Sequence, residues 1–452
     1  MPHRKELSSA MTPDTIPTRY KVYFSNGCQI ISPYDSEIAK SILENLEPLS
    51  WDEGVVDAKN SLVEHVLTPL KAAYFRAVEK AISSWKHDPA LRFVYTPMHG
   101  VGLPYMTEAV SRMGILSGMI VVQQQASPDP DFPTVRFPNP EEPGALDLAL
   151  ATADEHGIKT VIANDPDADR LAVAEKVGSE WHQLTGNQVG VLLASHVLDT
   201  YRPDKSRSKV AMLSSTVSTS MLQAMAQAEG FHFEETLTGF KWLGNKALDL
   251  ASKGYDTPYA FEEAIGYMIS SVVHDKDAIA AGSVFLSAMA RWKTQGWTPW
   301  TKLQQLYETY GYFETANTYF IAPDPSITKD VFDNIRQLGD PFPPRLARRR
   351  ISRWRDLTTG YDSSTPDHVP ALPVSRDSQM ITCELAEDLA DNSSGPTVRF
   401  TIRGSGTEPK IKLYIECQAK TSVEAQKGAR EVLHDLTTMW FRPEETGLQR
   451  SL

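Results

Sequence analysis

The chain has 452 residues, more than a single domain ordinarily holds, and this length alone predicts roughly three domains. A hydrophobic share of 41% and a charged share of 23% are typical of globular proteins, so each domain can build its own core. The formal net charge of −12 is the opposite of the balance that nucleic-acid-binding proteins show, so we expect no nucleic-acid partner.

The cysteines and the apolar runs of the sequence indicate a cytoplasmic location and no membrane segment. Cys28, Cys383 and Cys417 are far apart and match no metal-binding spacing, which favours a reducing compartment. The first residues lack the apolar stretch of a signal peptide, and no apolar run is long enough to span a bilayer.

The first half of the chain alternates predicted strands and helices. The Asn26-Gly27 pair indicates a hairpin over residues 20–32, because this dipeptide favours a tight turn between two β-prone runs. The remaining elements come from apolar periodicity and turn residues: helices over 36–46, 62–84 and 103–114, a helix that ends at Gly157, and strands over 92–96, 160–164 and 171–176.

In the second half, a strand over 209–216 precedes a helix with Ser218 or Thr219 near its cap, and residues 278–313 are mostly helical. Residues 322–378 are rich in Pro, Asp and Arg, which is typical of a linker and irregular structure. The last predicted elements are strands over 398–403 and 410–417 and a helix that a capping box at Thr421–Glu424 opens. This order predicts an α/β protein with several mixed-sheet α/β domains and a C-terminal α+β domain.

One basic cluster stands out in the acidic chain. It consists of arginines in the run from residue 345 to residue 355. We favour a solvated connector, the usual fate of a charge run, and the alternative is a rim that attracts anions.

The run Asn164-Asp-Pro-Asp-Ala-Asp-Arg170 carries the sharpest chemical signal. Alternate side chains of an extended loop point the same way, so Asp165, Asp167 and Asp169 converge and repel one another unless a cation lies among them. Oxygen ligands alone suit Mg²⁺. A calcium-binding EF-hand is excluded, because the loop has arginine and lysine where that motif needs glycine and glutamate; a plain acidic turn is the other alternative.

A second string, Arg403-Gly-Ser-Gly-Thr-Glu-Pro-Lys410, lies between two predicted strands. Its glycines let the backbone present N–H groups, and its hydroxyl and basic side chains can hold a phosphate, although a plain hairpin is the alternative.

Weaker signals are Phe261–Tyr267, with adjacent acids that suit sugar hydroxyls, and Thr238–Trp242. Lys276 is flanked by acids and is either catalytic or simply salt-bridged.

In this order, the strings NDPDADR, TGFKW, FEEAIGY and RGSGTEPK resemble the metal, sugar-specificity, sugar-hydroxyl and phosphate-binding loops of the phosphohexomutase superfamily. The resemblance covers nearly all of residues 20–440. It is strongest to the eukaryotic, fungal-like phosphoglucomutase/phosphopentomutase branch, as Ala264 indicates. It implies four parts: a remnant of a serine-bearing first domain (1–55), an α/β domain with the metal loop (56–200), an α/β domain with sugar-binding loops (201–325), and a linker with the C-terminal phosphate-binding domain (326–452).

The resemblance implies an isomerase that interconverts sugar 1-phosphates with 6- or 5-phosphates through a phosphoserine and a bisphosphate intermediate. The implied cofactors are Mg²⁺ and glucose 1,6-bisphosphate or a pentose bisphosphate. Asp165, Asp167 and Asp169 would bind the metal, and Lys276, Arg170 and Lys21 would face the reacting centre. The implied substrate-binding residues are Thr238, Gly239, Lys241, Glu262, Glu263, Arg403, Ser405, Gly406, Thr407 and Lys410.

The sequence departs from the family at the nucleophile. A Thr-Ala-Ser-His-Asn-Pro loop normally precedes the strand that begins here at Tyr20, but the aligned serine position falls on Met11. Three hypotheses remain open: a mutase whose product includes a further domain, a pseudoenzyme that binds Mg²⁺ and sugar phosphates, and a chain that does not fold stably. We expect essentially no turnover from the 452 residues alone, sugar phosphates as partners, and a monomer.

Overall fold

The computed structural model describes residues 21–56, 64–82, 84–85, 87–201, 206–387, 395–405 and 408–450. These residues form two compact units. The first comprises the described chain up to Ser215 together with Glu229–Leu303, and the second comprises Thr216–Ala228 together with the described part of Gln304–Leu452.

The helices in chain order are α1 (Tyr34–Glu44), α2 (Leu67–Ala81), α3 (Leu103–Arg112), α4 (Asp147–Glu155), α5 (Gly186–Thr200), α6 (Met221–Glu229), α7 (Phe240–Ser252), α8 (Ala278–Thr294), α9 (Pro299–Tyr310), α10 (Pro325–Arg336), α11 (Ser422–Asp435) and α12 (Pro443–Thr446). A π-helical turn, Leu436–Phe441, continues α11.

The first unit contains a hairpin at its N-terminal end, as predicted. Tyr23 and Gln29 pair in an antiparallel bridge, and the Phe24 N–H donates to the Cys28 carbonyl oxygen at 2.9 Å. Gly27 has a φ of 80°, a conformation that an L side chain rarely adopts, which explains the glycine in the turn.

Two sheets form the body of the first unit. The five-stranded sheet has the order β2 (Met119–Val121), β1 (Phe93–Thr96), β3 (Thr160–Asn164), β4 (Leu171–Val177), β5 (Glu180–Leu184). The four-stranded sheet has the order β7 (His232–Thr236), β6 (Val210–Ser215), β8 (Asp256–Glu262), β9 (Gly266–Ile269). β1 and β3 are parallel and buried at every residue, which explains why their sequences are apolar runs rather than alternating patterns.

The described pairings of the second unit are antiparallel and form one large sheet. Its main path is β12 (Arg345–Leu346), β13 (Arg349–Asp356), β15 (Met380–Ala386), β16 (Thr397–Gly404), β17 (Lys410–Ala419), β11 (Thr318–Ile321), β18 (Gln449–Arg450); β10 (Tyr312–Thr315) pairs with β17, and β14 (Tyr361–Asp362) with β13. The core on this sheet consists mostly of Val, Ile and Leu side chains, and the aromatic residues Trp354, Phe400, Trp440 and Phe441 pack among them.

Hydroxyl groups of the predicted cap residues Thr219 and Thr421 accept backbone N–H bonds at the starts of two helices, which confirms the cap residues and one of the two bonds of the predicted capping box. The Met221 N–H donates to Thr219 Oγ1 at 3.1 Å just before α6, and the Glu424 N–H donates to Thr421 Oγ1 at 3.3 Å at the start of α11. Each hydroxyl satisfies a backbone N–H that has no partner within its helix.

The interpretation of residues 322–378 as linker and irregular structure is wrong in large part. α10 begins there after Asp324, whose side chain accepts from the Ser326 N–H at 2.8 Å, and β12, β13 and β14 follow. The arginine run is therefore not a solvated connector. It lies largely on β13, where the Arg349 side chain is 3% exposed and Arg355 is buried.

Within the described ranges, none of the helices combines the length and the apolar character that crossing a bilayer requires.

Candidate active site

The acidic run lies in the turn between β3 and β4, and its first carboxylate organises the backbone. Asp165 Oδ1 accepts from the Asp169 N–H at 3.2 Å and from the Arg170 N–H at 2.9 Å. The turn passes through Ala168, which has a φ of 59°, and Asn164 closes it by donating to the Arg170 carbonyl oxygen at 3.2 Å. The loop is a fixed structure rather than a plain solvated turn.

The three aspartates converge as predicted. One carboxylate oxygen from each of Asp165, Asp167 and Asp169 lies within 4.8 Å of the others. Asp165 Oδ2 and Asp169 Oδ1 are buried and have no hydrogen-bond partner in the part of the chain that the structure describes, which is costly for a carboxylate unless a cation binds it. A compact set of oxygen ligands with two unsatisfied buried atoms fits a hard divalent cation such as Mg²⁺.

Two lysines from distant segments reach the same oxygen of this cluster. Lys21 Nζ, near the hairpin, is 3.1 Å from Asp169 Oδ2, and Lys276 Nζ contacts the same Asp169 oxygen. Lys276 is thus ion-paired, but with a loop residue more than a hundred positions away rather than with the acids that flank it in the sequence. The structure therefore brings both predicted lysines to the acidic cluster.

The charges around the cluster move the pKa values of its carboxyl groups in opposite directions. Burial, together with the negative charges of Asp167 and Asp169, raises the pKa of Asp165 well above its usual range. Burial acts in the same direction on Asp169, but the ammonium groups of Lys276 and Lys21 outweigh it and lower the pKa of that carboxyl. Arg170 lies beside the buried acid, with its Nε 3.7 Å from Asp165 Oδ2.

The segment before α8 holds Lys276 in place. Asp275 accepts from the Lys276 N–H at 2.8 Å, from Tyr23 Oη at 2.6 Å and from Gln29 Nε2 at 2.7 Å. This acid therefore ties Lys276 to the hairpin that follows Lys21. The sequence offered one signal for Asp275, its position next to Lys276, but no signal for its partners.

The two predicted sugar loops meet at the ends of adjacent elements. Glu262, the last residue of β8, accepts from the Gly239 N–H at the start of α7, where Gly239 has a φ of 110°. Glu263 accepts from Ser215 Oγ at 3.1 Å, at the end of β6. Thr238, the residue before Gly239, is half-buried, and Lys241 Nζ lies 5.3 Å from the centroid of the Trp242 ring.

Backbone contacts join the sugar loops to the acidic loop within the first unit. Arg170 and Gly266 form an antiparallel bridge, and the Leu171 N–H donates to the Ile265 carbonyl oxygen at 3.0 Å. On the other side, the Ala278 N–H donates to the Ala168 carbonyl oxygen at 3.2 Å. The first unit therefore gathers the three aspartates, both lysines and the glutamates in one region.

In the second unit, the predicted phosphate loop connects β16 to β17. The Ser405 N–H donates to the Lys410 carbonyl oxygen at 2.8 Å, and Arg403 Nη2 donates to Tyr414 Oη at 3.2 Å. Lys410 Nζ and Lys412 Nζ lie 3.0 Å and 3.6 Å from oxygens of Glu408, which concentrates basic groups at this end of the strands. Gly406 and Thr407 lie outside the described residues, as do Met11 and its neighbours, where the family's serine aligns.

Two family models match this chain. Phosphoglucomutase/phosphomannomutase alpha/beta/alpha domain II matches residues 72–178, and domain III of the same family matches residues 185–310. The chain belongs to the phosphoglucomutase/phosphomannomutase family, within the phosphohexomutase superfamily. The predicted family and fold class are confirmed.

Individual relatives extend the match over almost the whole chain. It is 44% identical to the phosphoribomutase of Saccharomyces cerevisiae, over 95% of this chain and 73% of that protein. It is 40% identical to human phosphopentomutase, over 95% of this chain and 71% of that protein. Among solved structures, pp63/parafusin (phosphoglucomutase) from Paramecium superposes with a TM-score of 0.54 at 17% identity, covering 82% of this chain and 62% of that one, which supports the fold alone.

Proposed function

We propose that this chain is a phosphoglucomutase/phosphopentomutase-type phosphotransferase component that binds Mg²⁺ and sugar phosphates. Its reaction class is the interconversion of a sugar 1-phosphate with the 5- or 6-phosphate through a phosphoserine and a sugar bisphosphate. The observation that carries the proposal is the acidic loop, where two buried carboxylate oxygens accept no hydrogen bond from any described residue and two lysines converge on Asp169. The similarity to phosphoribomutase and phosphopentomutase favours a pentose phosphate.

In the proposed reaction, residues of the first unit have three different roles around the phosphoryl group that is transferred. Asp165, Asp167 and Asp169 would hold Mg²⁺, which neutralises negative charge on that group when bound. Arg170 and Lys21 add positive charge beside it. We assign to Lys276, whose side chain is 17% exposed, the movement of a proton at the reacting hydroxyl.

Sugar recognition rests on the glutamates of the β8–β9 turn. Carboxylates of Glu262 and Glu263 accept hydrogen bonds, as vicinal hydroxyl groups of a sugar require. Thr238, Gly239 and Lys241 form the neighbouring loop, and Gly239 brings its backbone N–H to Glu262. In the second unit, Arg403, Ser405, Gly406, Thr407 and Lys410 form the loop that we assign to a phosphate group that does not react.

We propose further that the 452 residues bind these ligands without turning them over. The printed sequence contains no Thr-Ala-Ser-His-Asn-Pro run, and positioning groups alone supply no covalent relay for the phosphoryl group. A binding protein without catalysis is therefore the second candidate function. A measurable mutase rate from the purified 452-residue protein would contradict this part of the proposal.

Calorimetric titration tests the binding. We expect glucose 1,6-bisphosphate and its ribose counterpart to release or absorb heat in the presence of Mg²⁺ and to bind the Glu262→Gln variant about tenfold more weakly. Glu180→Gln, which changes an exposed glutamate at the start of β5, is the matched control and keeps the affinity. If neither bisphosphate binds with or without Mg²⁺, the proposed function is wrong.

We also propose a monomeric protein of the cytoplasm that binds no nucleic acid, in line with the net charge of −12. Light scattering coupled to size-exclusion chromatography tests the oligomeric state. A mass near 50.3 kDa is expected, and a stable mass of twice that value would contradict the monomer.

A further inference from the structure

The loop between β1 and α3, residues 97–102, has a strained backbone and lies against the acidic loop. Met98 and His99 have φ values of 50° and 57°, so two consecutive residues with side chains adopt the left-handed conformation. This conformation is unfavourable for residues other than glycine and persists only where surrounding contacts impose it. The contacts that impose this conformation therefore need a physical explanation.

A hydrogen-bond network of four side chains imposes it. Thr96 Oγ1 accepts from the Met98 N–H at 3.0 Å and contacts Gln125 Oε1, and Gln125 Nε2 donates to Thr134 Oγ1 at 2.9 Å. The same Thr134 hydroxyl lies 2.8 Å from His99 Nε2. Backbone bonds complete the network, because the His99 N–H donates to the Gln125 carbonyl oxygen at 3.0 Å. His99 is thus held at its backbone and at its ring.

Three residues of the strained loop contact the acidic loop. The Val101 N–H donates to the Pro166 carbonyl oxygen at 2.8 Å. Gly100 packs so closely that a Cβ atom there would lie 2.2 Å from Pro166 Cα, and a Cβ on Gly102 would lie 3.3 Å from that of Ala168. Pro166 and Ala168 are the two residues that alternate with the three aspartates, so these contacts fix the spacing of the carboxylates.

We propose that His99, Gln125 and Thr134 form a positioning network that sets the geometry of the metal-binding aspartates through Gly100 and Val101. This inference rests on the proposed function, because it assumes that the aspartates bind a divalent cation. None of the three residues touches the aspartates in the described contacts. They act through the backbone of residues 97–102 on Pro166, and therefore on the separation of Asp165 and Asp167.

Thr134 offers the cleanest test, because the residue is exposed while its hydroxyl joins His99 to Gln125. Thr134→Val removes the hydroxyl at nearly constant volume, and Thr134→Ser keeps it. With Mn²⁺ as the probe, followed by electron paramagnetic resonance, we expect Thr134→Val to weaken binding about threefold to tenfold and Thr134→Ser to remain within about twofold of the unchanged protein. The melting temperatures of both variants should stay close to that of the unchanged protein.

Gly100→Ala tests the contact itself. The added Cβ forces Pro166 to move, so we expect Mn²⁺ binding to weaken about tenfold or more. The matched control is Gly178→Ala in the β4–β5 turn, where φ is 62° and no atom of another described residue lies within 4 Å of the added Cβ. That variant should lose stability but keep its Mn²⁺ affinity.

The outcomes separate this inference from the proposed function. If the unchanged protein binds no Mn²⁺, the metal site itself is wrong. If the unchanged protein binds Mn²⁺ and Thr134→Val binds it equally well, the metal site stands and the positioning network is wrong. Equal losses in Thr134→Val and Thr134→Ser would also overturn the network, because the hydroxyl would then have no role.

Discussion

Two ammonium groups compete for one oxygen of Asp169. Lys21 and Lys276 both reach Asp169 Oδ2, so they offset part of the negative charge that three converging aspartates create. A divalent cation would have to share that carboxylate with them and would be repelled by their charge. If the proposed function holds, the lysines would weaken metal binding and attract a phosphoryl group, so a ligand with several phosphate oxygens would bind most strongly.

This competition predicts the effect of Lys276→Met. Removing one ammonium group should tighten Mg²⁺ binding about threefold to tenfold and weaken the binding of a sugar bisphosphate by a comparable factor. Calorimetry on the same samples measures both. Lys293→Met, which breaks an ion pair with Asp88, is the control and should change neither affinity. A loss of Mg²⁺ affinity in Lys276→Met would contradict the competition.

A buried histidine in the first unit makes folding sensitive to acid. Burial, assisted by the positive charges of Arg291 and Lys302, lowers the pKa of His196 to about 4 from 6.5. Between these values the unfolded chain binds more protons than the folded one, so stability is complete above pH 6.5 and falls as the pH approaches 4. The loss attributable to this group is up to about 3 kcal/mol.

His196→Phe should remove that part of the pH dependence. The phenyl ring keeps an aromatic group against Trp292, whose ring centroid lies 6.3 Å away, but it cannot be protonated. Denaturant unfolding at several pH values between 7 and 4 measures the slope. His434→Phe, at an exposed histidine of α11, should leave the slope unchanged. An equal slope in His196→Phe and the unchanged protein would show that the histidine is not responsible.

At the level of elements, two neighbouring arginines at the start of β13 show how burial changes the strength of an ion pair. The guanidinium groups of Arg348 and Arg349 both pair with Glu387 and Glu431, but the Arg348 side chain is 63% exposed and that of Arg349 only 3%. Water screens the ion pairs of Arg348. If the guanidinium group of Arg349 is removed, by contrast, poorly solvated acids are left behind. The two arginines share these two acids and differ strongly in burial, and Arg349 Nη1 also lies 3.6 Å from Asp435 Oδ2.

We expect Arg349→Met to lower the free energy of unfolding by about 3 kcal/mol or more and Arg348→Met by less than about 1 kcal/mol. Urea denaturation monitored by circular dichroism measures both. Similar losses in the two variants would mean that burial does not decide the strength of these pairs.

The same strand explains which parts of the fold the sequence could predict. In the first unit, β1 and β3 were predictable because they are buried apolar runs, and Asn26-Gly27 marks the hairpin turn locally. The strands β2, β5, β7, β8 and β9 of the same unit were not predicted from the sequence. In β13, by contrast, buried positions are occupied by Arg349 and Arg355, so the expected alternation of apolar and polar residues is hidden. The acids that neutralise Arg349 come from more than thirty residues further along the chain, which no local pattern reveals.

The candidate site likewise contains one part that the sequence could predict and one part that it could not. The three aspartates lie within five residues, so a single loop conformation brings them together, and their spacing was enough to predict the cluster. The attachment of Lys276 to Asp169, and of His99 to Thr134, joins segments that are far apart or strained. Such contacts follow from tertiary packing, and the sequence contains no periodicity that encodes them.

At the scale of the whole molecule, exposed apolar side chains are concentrated near one end of the described chain. α1 contains no buried residue, and Leu43 and Leu46 are more than two thirds exposed. Most other large exposed apolar residues of the described chain also fall between residues 22 and 70. Residues with so few packed neighbours contribute little to folding stability.

Replacing these side chains should therefore cost little. We expect Leu43→Lys with Leu46→Lys to change the free energy of unfolding by no more than about 0.5 kcal/mol per site. The double variant should also bind less of a dye that fluoresces on apolar surface. Val423→Lys, at an isolated exposed valine of α11, is the control and should leave dye binding unchanged. A loss of several kcal/mol in the double variant would show that the segment is packed in solution.

A titration of the 452-residue protein with Mn²⁺, followed by electron paramagnetic resonance, tests the metal site most directly. Asp165, Asp167 and Asp169 predict one saturable site per chain that Mg²⁺ displaces and that Asp167→Asn weakens at least about tenfold. Asp131→Asn, at an exposed aspartate outside the cluster, should bind as the unchanged protein does. No saturable binding, or equal binding by Asp167→Asn, would contradict the assignment of these three aspartates as metal ligands.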